Sequence, residues 1–300
     1  MRVAVNGIEL FVDGDIDGDV VGDGDINIDG DGAALARGSS HGPDGRPVVL
    51  AIHGLGLDHL YLKPPLARLA DAARLVYVDL RAQGGSVPAP VESCTLEQMA
   101  DDLAQLCAAL GIRPVLLGHS FGGFVALLLA LRHPGRVRGL VLIGSAARID
   151  LDEAFAILES RRGAAARGFA ESVLGRGESG EAALIGFAQT VVPAYTHPAT
   201  AAALADLAHS RMAFDVTAHF FRHHRQGYDL RGRLGEIGLP SAIITGDHDW
   251  ILPPARAREL AAGIPGAALA LLPDTGHFAL NERPAEVTAL VRQFLAASPG

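Results

Sequence analysis

The sequence predicts an α/β fold with a mostly parallel, doubly wound sheet and an inserted helical region. Short, continuous aliphatic runs recur from residue 47 onward, and stretches of helical period separate most of them. A long segment without such runs interrupts this order after residue 145. Aliphatic runs of this kind are typical of parallel strands covered on both faces. Strands that alternate with helices indicate a parallel sheet with helices packed against it.

Seven strands are predicted. The first is a short strand near the amino terminus, at residues 3–12, and the other six are the buried aliphatic runs. Those six are expected at residues 48–53, 75–80, 114–118, 137–144, 241–246 and 267–272.

Four helices have recognisable starts or ends. A helix over residues 96–110 carries leucines and a methionine on one face, begins with the capping-box pair Thr95 and Gln98, and ends at Gly111. A second, over residues 121–133, follows a strand directly and stops at a proline. The remaining two have a proline in the first turn, where its missing N–H costs nothing, and cover residues 254–262 and 284–297.

The domain organisation follows from the interruption of this pattern. Residues 1–145 and 236–300 are predicted to form the α/β core, and residues 146–235 a helical lid inserted after the fourth buried strand. The inserted segment is rich in alanine and arginine and holds eight of the sixteen aromatic residues of the chain. The alternative is a second small core that does not contact any site.

Composition excludes several classes of partner. Hydrophobic residues are 49% and charged residues 20% of the chain, which is enough to build a sizeable core. The net charge is −9, and no basic face is indicated, so nucleic acid and anionic membranes are not expected partners. The longest apolar run has eight residues, too few to span a bilayer, and no signal peptide is visible. Two cysteines give no disulfide framework, so a cytoplasmic location is expected.

Acidic charge is concentrated in a segment of low complexity, residues 13–32, which holds eight aspartates and no basic residue. It is interpreted as a solvated loop or hairpin insertion without a role in chemistry. A calcium site is the alternative, because Asp13, Asp15 and Asp17 have the spacing of the first ligands of an EF-hand loop. The glutamate expected at the twelfth position is missing, since Gly24 stands there.

The strongest functional motif is G-x-S-x-G at residues 118–122, between a predicted strand and a predicted helix. A sharp strand-to-helix turn exposes the serine hydroxyl, and its flanking glycines leave room for that turn. Ser120 is therefore the candidate nucleophile. Two backbone N–H groups are candidates for an oxyanion hole, that of Phe121 just after the serine and that of Leu55 in the glycine-containing loop after the 48–53 strand.

A serine nucleophile needs a base that is oriented by an acid. His277 is the candidate base, because it follows the last predicted strand at the edge where the serine also lies. Asp249 is the candidate acid, since it lies deeper in its loop than Asp247 and precedes apolar residues that could bury it. His248 is interpreted as a loop residue and His133 as structural. A zinc site at His219 and His223 is not favoured, because no third ligand is evident.

These motifs, in this order, resemble those of the α/β-hydrolase family over residues 45–297. The matching motifs are His53-Gly54, Gly118-His119-Ser120-Phe121-Gly122-Gly123, Gly246-Asp247-His248-Asp249 and Gly276-His277. Residues 56–62 and 78–81 are similar to the proline iminopeptidase branch. The chain departs from that branch at Leu55-Gly56, where a Gly-Pro is usual, at Ala82, where a glycine is usual, and at Phe121, where tryptophan is common.

The resemblance implies a hydrolase that works through an acyl-enzyme, without a metal or organic cofactor. The expected substrate is a small, largely apolar carboxylic ester, because the lid is aromatic and aliphatic. The alternatives are an iminopeptidase and a ligand-binding homologue without activity. Iminopeptidases of this kind hold the substrate amine with lid carboxylates, and the candidates here are Glu153, Glu159, Glu171, Glu178, Glu181, Asp206 and Asp215. A serine at position 120 argues against dehalogenases and epoxide hydrolases, which use an aspartate.

Overall fold

The computed structural model describes residues 1–15, 39–42, 44–197 and 201–297, without the side chains of residues 201–204. Eight strands in these residues form one sheet, in the order β1-β2-β4-β3-β5-β6-β7-β8. The strands are β1 (Arg2–Val5), β2 (Ile8–Gly14), β3 (Val48–Ile52), β4 (Arg74–Val78), β5 (Val115–His119), β6 (Gly139–Ile143), β7 (Ser241–Gly246) and β8 (Ala268–Leu272). All neighbouring pairs from β4 to β8 are parallel, and β1 and β2 add an antiparallel edge. The mostly parallel α/β sheet predicted from the sequence is confirmed.

Helices cover both faces of the sheet in the part of the chain that is described. They are α1 (Lys63–Leu66), α2 (Leu96–Ala109), α3 (Phe121–Arg132), α4 (Leu151–Arg162), α5 (Ala164–Ala170), α6 (Glu181–Thr190), α7 (Ala201–Ala208), α8 (Phe214–His223), α9 (Pro254–Gly263), α10 (Ala279–Glu282) and α11 (Pro284–Ala297). Side chains of α2, α3 and α9 pack in one hydrophobic core, and those of α1 and α11 pack in a second core on the opposite face. None of the helices in the described residues is long and apolar enough to cross a membrane.

Two predicted strands differ from the structure. The single strand expected at residues 3–12 is a hairpin, because Asn6 and Gly7 take positive φ values of 43° and 75° and turn the chain between β1 and β2. The strand expected at residues 267–272 is present as β8, but it is not covered on both faces. Among the described strands it pairs only with β7, at the edge of the sheet, and its Leu269 and Leu271 are exposed.

The beginning of the Asp/Gly segment also differs from its interpretation as a solvated insertion. Asp13 and Gly14 belong to β2, and the carboxylate of Asp13 forms ion pairs with Lys63 and His59. Burial raises the pKa of Asp13, but hydrogen bonds from Lys63 and Gly14 outweigh it and lower the pKa below its ordinary value. The rest of the segment, and with it the calcium alternative, lies outside the described residues.

The sheet places the candidate functional residues at one edge. Strand order reverses at β3, whose neighbours β4 and β5 lie on opposite sides, and ligands of open α/β sheets bind at the carboxyl ends of strands near such a point. Leu55, Ser120, Asp249 and His277 follow the carboxyl ends of β3, β5, β7 and β8. Helices α4 to α8 lie between β6 and β7 in the sequence, in the region of the predicted lid.

Candidate active site

Ser120 occupies a strained turn between β5 and α3. Its φ of 54° and ψ of −118° lie in a region that side chains with a Cβ rarely adopt. The turn is tight, because a Cβ at Gly122 would collide with the carbonyl oxygen of Ile52, and one at Gly118 would lie 2.5 Å from the carbonyl oxygen of Gly122. The two glycines of the motif are therefore required by contacts, and the strain is confined to the serine.

His277 and Asp249 form a buried pair. Oδ2 of Asp249 lies 2.7 Å from Nδ1 of His277, and both side chains are at most 4% exposed. A carboxylate can only accept, so Nδ1 carries the proton and Nε2 of the neutral ring is the basic nitrogen. Oδ1 of Asp249 accepts the N–H groups of Ile251 and Leu252, which fixes the carboxylate in its loop.

Asp247 has different partners. Its carboxylate accepts from Nδ1 of His248 at 2.6 Å and from the backbone N–H of Thr275 at 3.3 Å. Burial raises the pKa of Asp247, but the hydrogen bonds from His248 and Thr275 outweigh it and lower the pKa below its ordinary value. The structure therefore brings Asp249, and not Asp247, to His277.

Both candidate oxyanion donors are unoccupied. Within the described residues, neither the N–H of Leu55 nor that of Phe121 has a hydrogen-bond acceptor. The N–H groups on either side of Leu55 are bound, that of Gly54 to Oη of Tyr61 and that of Gly56 to Oε1 of Gln83, each at 2.8 Å. The loop is thus anchored by side chains on both sides of the one N–H that stays free for a ligand.

A chain of buried hydrogen bonds joins the loop around Leu55 (residues 53–56, the oxyanion loop) to the loop of His277. Nε2 of His119 lies 3.1 Å from the carbonyl oxygen of His277, which can only accept, so Nε2 carries the ring proton. Nδ1 then accepts from Oη of Tyr61 at 2.7 Å, and Oη accepts from the N–H of Gly54. Burial, with the nearby His277, lowers the pKa of His119 to about 3, so the ring is neutral and every partner is satisfied with a single tautomer.

Two further residues, His53 and Gly144, support the site in ways that were not assigned to them from the sequence. His53 accepts the N–H of Leu80 through Nε2 and donates to the carbonyl of Gly54 through Nδ1, which ties the loop after β3 to the end of β4. A Cβ at Gly144 would lie 3.3 Å from Nδ1 of His277 and 3.4 Å from Oδ2 of Asp249, so this glycine lies against the pair. The position of Gly144 at the end of a predicted buried strand was a sequence signal for its role. Tyr61 and Gln83 had no such signal.

Aromatic side chains from the region between β6 and β7 pack against the site. The ring of Tyr195 lies 5.5 Å from that of His277 and 5.1 Å from that of Trp250, measured between centroids. The carbonyl of Tyr195 also accepts the backbone N–H of His277 at 2.7 Å. The ring of Phe220 lies 5.0 Å from that of Phe121. The surroundings of the candidate base and of the turn at Ser120 are therefore mainly apolar.

One group of side chains in the described residues could hold a metal ion. Nitrogen and oxygen atoms of His197, His248 and Asp274 lie within 4.8 Å of one another. The histidines named in the sequence analysis form a different group on α8, where the rings of His219 and His223 are 4.8 Å apart.

A serine in a strained strand-to-helix turn, and a buried aspartate–histidine pair at the same edge of a parallel sheet, define a hydrolase of the α/β class. The chain belongs to the α/β hydrolase fold family, whose pattern it matches over residues 47–284.

Three proteins illustrate its similarities. RutD of Agrobacterium fabrum, a protein named for carbamate hydrolysis, is 29% identical over 253 residues, which cover 78% of this chain and 87% of that protein. The proline iminopeptidase PfmaB of Pestalotiopsis fici is 26% identical and covers 85% of this chain and 93% of its own. A thermophilic esterase of Thermogutta terrifontis has a solved structure with 27% identity, a TM-score of 0.65, and coverage of 99% of this chain and 98% of that one.

The Tyr61 hydroxyl is expected to stabilise the oxyanion loop. Tyr61→Phe leaves the N–H of Gly54 and Nδ1 of His119 without partners in a buried place, which costs about 1–3 kcal/mol of unfolding free energy. Displacement of the loop is expected to lower kcat about tenfold to a hundredfold, while KM changes less. Denaturant unfolding and steady-state kinetics measure the two effects.

Tyr77→Phe is the matched control, because the Tyr77 hydroxyl has no hydrogen-bond partner among the described residues. Equal effects of both substitutions would contradict the role of Tyr61.

His119 is expected to make the fold less stable in acid. Its folded-state pKa is about 3 and its unfolded pKa about 6.5, so between these values the unfolded chain binds more protons and stability rises with pH. From pH 7 to pH 5 this group is expected to cost about 2 kcal/mol of unfolding free energy. Unfolding of wild type and His119→Gln at both pH values isolates the contribution, and an identical loss in both proteins would refute it.

His59 acts in the opposite direction and cancels in that comparison. Burial lowers the pKa of His59, but the hydrogen bond and charge of Asp79 raise it above its ordinary value. Its stabilisation is therefore present below about pH 6.5 and is lost as pH rises through the folded-state pKa.

Proposed function

We propose that this protein is a serine hydrolase that cleaves a small, largely apolar carboxylic ester through an acyl-enzyme. Ser120 is the nucleophile, His277 the general base and Asp249 the acid that orients it. The N–H groups of Leu55 and Phe121 form the oxyanion hole. The observation that carries this proposal is the buried 2.7 Å contact of Asp249 with His277, at the sheet edge where Ser120 occupies its strained turn.

The reaction follows from these roles. Nε2 of His277 takes the hydroxyl proton as Oγ of Ser120 bonds to the ester carbonyl carbon, and the carbonyl oxygen becomes an oxyanion. When the tetrahedral intermediate collapses, the bond from carbon to the alkoxy oxygen breaks and His277 returns the proton to the leaving alcohol. Water then repeats the sequence on the acyl-enzyme and releases the acid and free Ser120. No metal or organic cofactor takes part in these steps.

The preference for an apolar substrate rests on the inserted region. We propose that residues 146–235 form a lid over the core made by residues 1–145 and 236–300. The support is the packing of Tyr195 on His277 and of Phe220 on Phe121. An ester without charge gains from burial beside such rings, whereas a charged substrate loses solvation there. The proposal includes a cytoplasmic location, and its support is that Cys94 and Cys107 are both free thiols.

The second candidate function is that of an iminopeptidase, and one observation favours it. Of the seven carboxylates named for amine binding, Glu153, Glu159, Glu171 and Glu178 pair with arginines. Asp206 instead accepts from Nδ2 of Asn281, which also donates to the carbonyl of Tyr61. Asp206 is therefore the carboxylate of that set with a direct link to the site, and it is the position to test for amine recognition.

A substrate panel separates the candidates. We expect kcat/KM for short p-nitrophenyl esters to exceed that for prolyl-naphthylamide at least a hundredfold, because an apolar site does not compensate the charge of a prolyl amine. An aryl carbamate belongs in the panel, since RutD is named for carbamate hydrolysis. Asp206→Asn is the discriminating variant and Asp215→Asn, at an exposed position of α8, is its control. A preference for prolyl amides that N-acetylation and Asp206→Asn both remove would overturn the ester proposal.

A further inference from the structure

Three side chains with unused donor atoms meet beside the candidate active site. His197 lies two residues after Tyr195, His248 follows β7, and Asp274 follows β8, so they come from three separate parts of the chain. Their possible ligand atoms all lie within 4.8 Å of one another. Among the described residues, neither nitrogen of the His197 ring and neither oxygen of the Asp274 carboxylate has a hydrogen-bond or ion-pair partner. These donors are free to bind a ligand.

His248 already has the hydrogen-bond partner that usually supports a metal-binding histidine. Its Nδ1 lies 2.6 Å from the carboxylate of Asp247 and donates to it, which leaves the lone pair on Nε2. A carboxylate on the far nitrogen is the usual support of a metal-binding histidine, because it fixes the tautomer and raises the basicity of the ligand nitrogen. The loop is also held by backbone bonds from Asp247 to Leu272 and from His248 to Thr275.

We propose that His197, His248 and Asp274 bind one zinc ion, with water in the remaining position. Two imidazole nitrogens and one carboxylate oxygen are a donor set that suits zinc, whereas calcium and magnesium prefer oxygen donors alone. The surrounding carboxylates favour a cation, since Asp247 adjoins His248 and Asp249 follows it. Arg161 is an opposing positive charge, since its guanidinium donates to the carbonyl oxygen of His248.

The two rings must reorient to share an ion. The rings of His197 and His248 are stacked, with centroids 3.8 Å apart and planes inclined by 7°, so their nitrogen lone pairs run side by side. Zinc lies about 2.0–2.1 Å from each histidine nitrogen, which requires the rings to tilt toward one point. Both side chains are only half-buried, which leaves their solvent side open for this reorientation.

Zinc at this position would link the segment that contains Tyr195 and His197 to the loops that carry Asp249 and His277. Tyr195 already accepts the N–H of His277, and the N–H of His197 donates to Glu282 at 2.6 Å. An ion on His197, His248 and Asp274 adds a stronger link from the same segment to the loops that carry Asp249 and His277. The ion would therefore stabilise the folded chain and hold Tyr195 against His277, without taking part in bond cleavage.

The test is zinc binding by the full-length protein after removal of metals with a chelator. Calorimetric titration with Zn²⁺ is expected to give one site per chain that survives an excess of Ca²⁺, and Co²⁺ is expected to give the visible absorption of a four-coordinate ion. Saturating Zn²⁺ is expected to raise Tm by about 3–6 °C. His248→Asn and Asp274→Asn should each lower the affinity more than tenfold, and Asp247→Asn should lower it about tenfold to a hundredfold.

His209→Asn is the matched control, since His209 is exposed and outside the cluster. Unchanged zinc affinity in both His248→Asn and Asp274→Asn would overturn the proposal. The ion would then lie on other histidines, such as His219 and His224, whose Nε2 atoms are 3.1 Å apart. Failure of the wild type to bind Zn²⁺ would overturn it as well. Circular dichroism of each variant shows whether it is folded, and His197→Asn gives an independent third ligand substitution. The readouts do not depend on enzyme activity, so they stand apart from the ester proposal.

Discussion

Ser120→Ala is expected to lower kcat by about 10⁵–10⁶-fold on any ester that the wild type cleaves. Removal of the nucleophile from a serine hydrolase costs about 10⁶-fold, and the residual rate comes from the oxyanion hole and substrate binding. KM is expected to change little, because the side chain is small and forms no covalent bond in the Michaelis complex. Steady-state kinetics on p-nitrophenyl esters measure both quantities.

Covalent labelling makes this prediction independent of the unknown substrate. A fluorophosphonate probe is expected to label wild type at Ser120 and to leave Ser120→Ala unlabelled, because the probe reports an activated serine. Ser145→Ala is the neighbouring control. Oγ of Ser145 donates to the carbonyl of Ser120 at 3.1 Å, so its loss disturbs the turn without removing the nucleophile. Labelling of Ser120→Ala, or none of the wild type, would show that Ser120 is not the nucleophile, and the latter would favour a ligand-binding protein.

Ser120→Gly, but not Ser120→Ala, is expected to make the fold more stable. Ser120 has φ 54° and ψ −118°, a conformation that costs about 1–3 kcal/mol for a residue with a side chain. Alanine carries the same Cβ and relieves none of this strain, whereas Ser120→Gly does. The two substitutions therefore separate the chemical role of the hydroxyl from the cost of the backbone that presents it.

The central strands were predictable because their signal is local. A run such as residues 241–246 has aliphatic side chains on both faces, which is typical of a parallel strand that is covered on both sides. The bounds of β7 and α11 agree with those predicted. Exposure of β8 was not predictable in the same way, because the sequence of a strand does not show whether a further strand pairs with it. The amino-terminal hairpin could have been found, since Asn-Gly is a strong hairpin signal.

The candidate site divides along the same line. Ser120, with its flanking glycines, is a short motif whose physical reason lies in one turn, so the sequence reveals it. Tyr61 and Gln83 act on residues 7 and 27 positions away, and Tyr61 also contacts His119 at a separation of 58 residues. Such contacts exist only once the sheet has formed. The role of Asp13 was missed for another reason, because its aspartate-rich neighbourhood suggested solvent exposure.

The choice between Asp249 and Asp247 shows how the sequence and the geometry combine. Both aspartates follow β7 with the same strand parity, so alternation does not distinguish them, and the choice of Asp249 rested on its depth in the loop and on the family pattern. The structure adds a physical contrast, since Asp249 is fully buried and contacts His277, whereas the side chain of Asp247 is 41% exposed and contacts His248. Substitution of both residues tests the assignment directly.

Asp249→Asn is expected to lower kcat by about 10⁴-fold, and Asp247→Asn by less than tenfold. An asparagine amide at position 249 can donate to Nδ1 of His277, which moves the ring proton to Nε2 and removes the base. Its side-chain oxygen can still accept the N–H groups of Ile251 and Leu252, so the loop is expected to keep its conformation.

The kinetics of the two variants are to be compared at one pH and in the presence of a chelator. Metal binding at His248 then does not affect the measured rates. Thermal unfolding of both variants shows whether each remains folded, and fluorophosphonate labelling of Asp249→Asn is expected to slow in parallel with kcat, because the serine then has no effective base. A large loss in Asp247→Asn, with Asp249→Asn within tenfold of wild type, would mean that the acid is Asp247. Such a result would require the loop after β7 to move in solution until Asp247 replaces Asp249 at Nδ1 of His277.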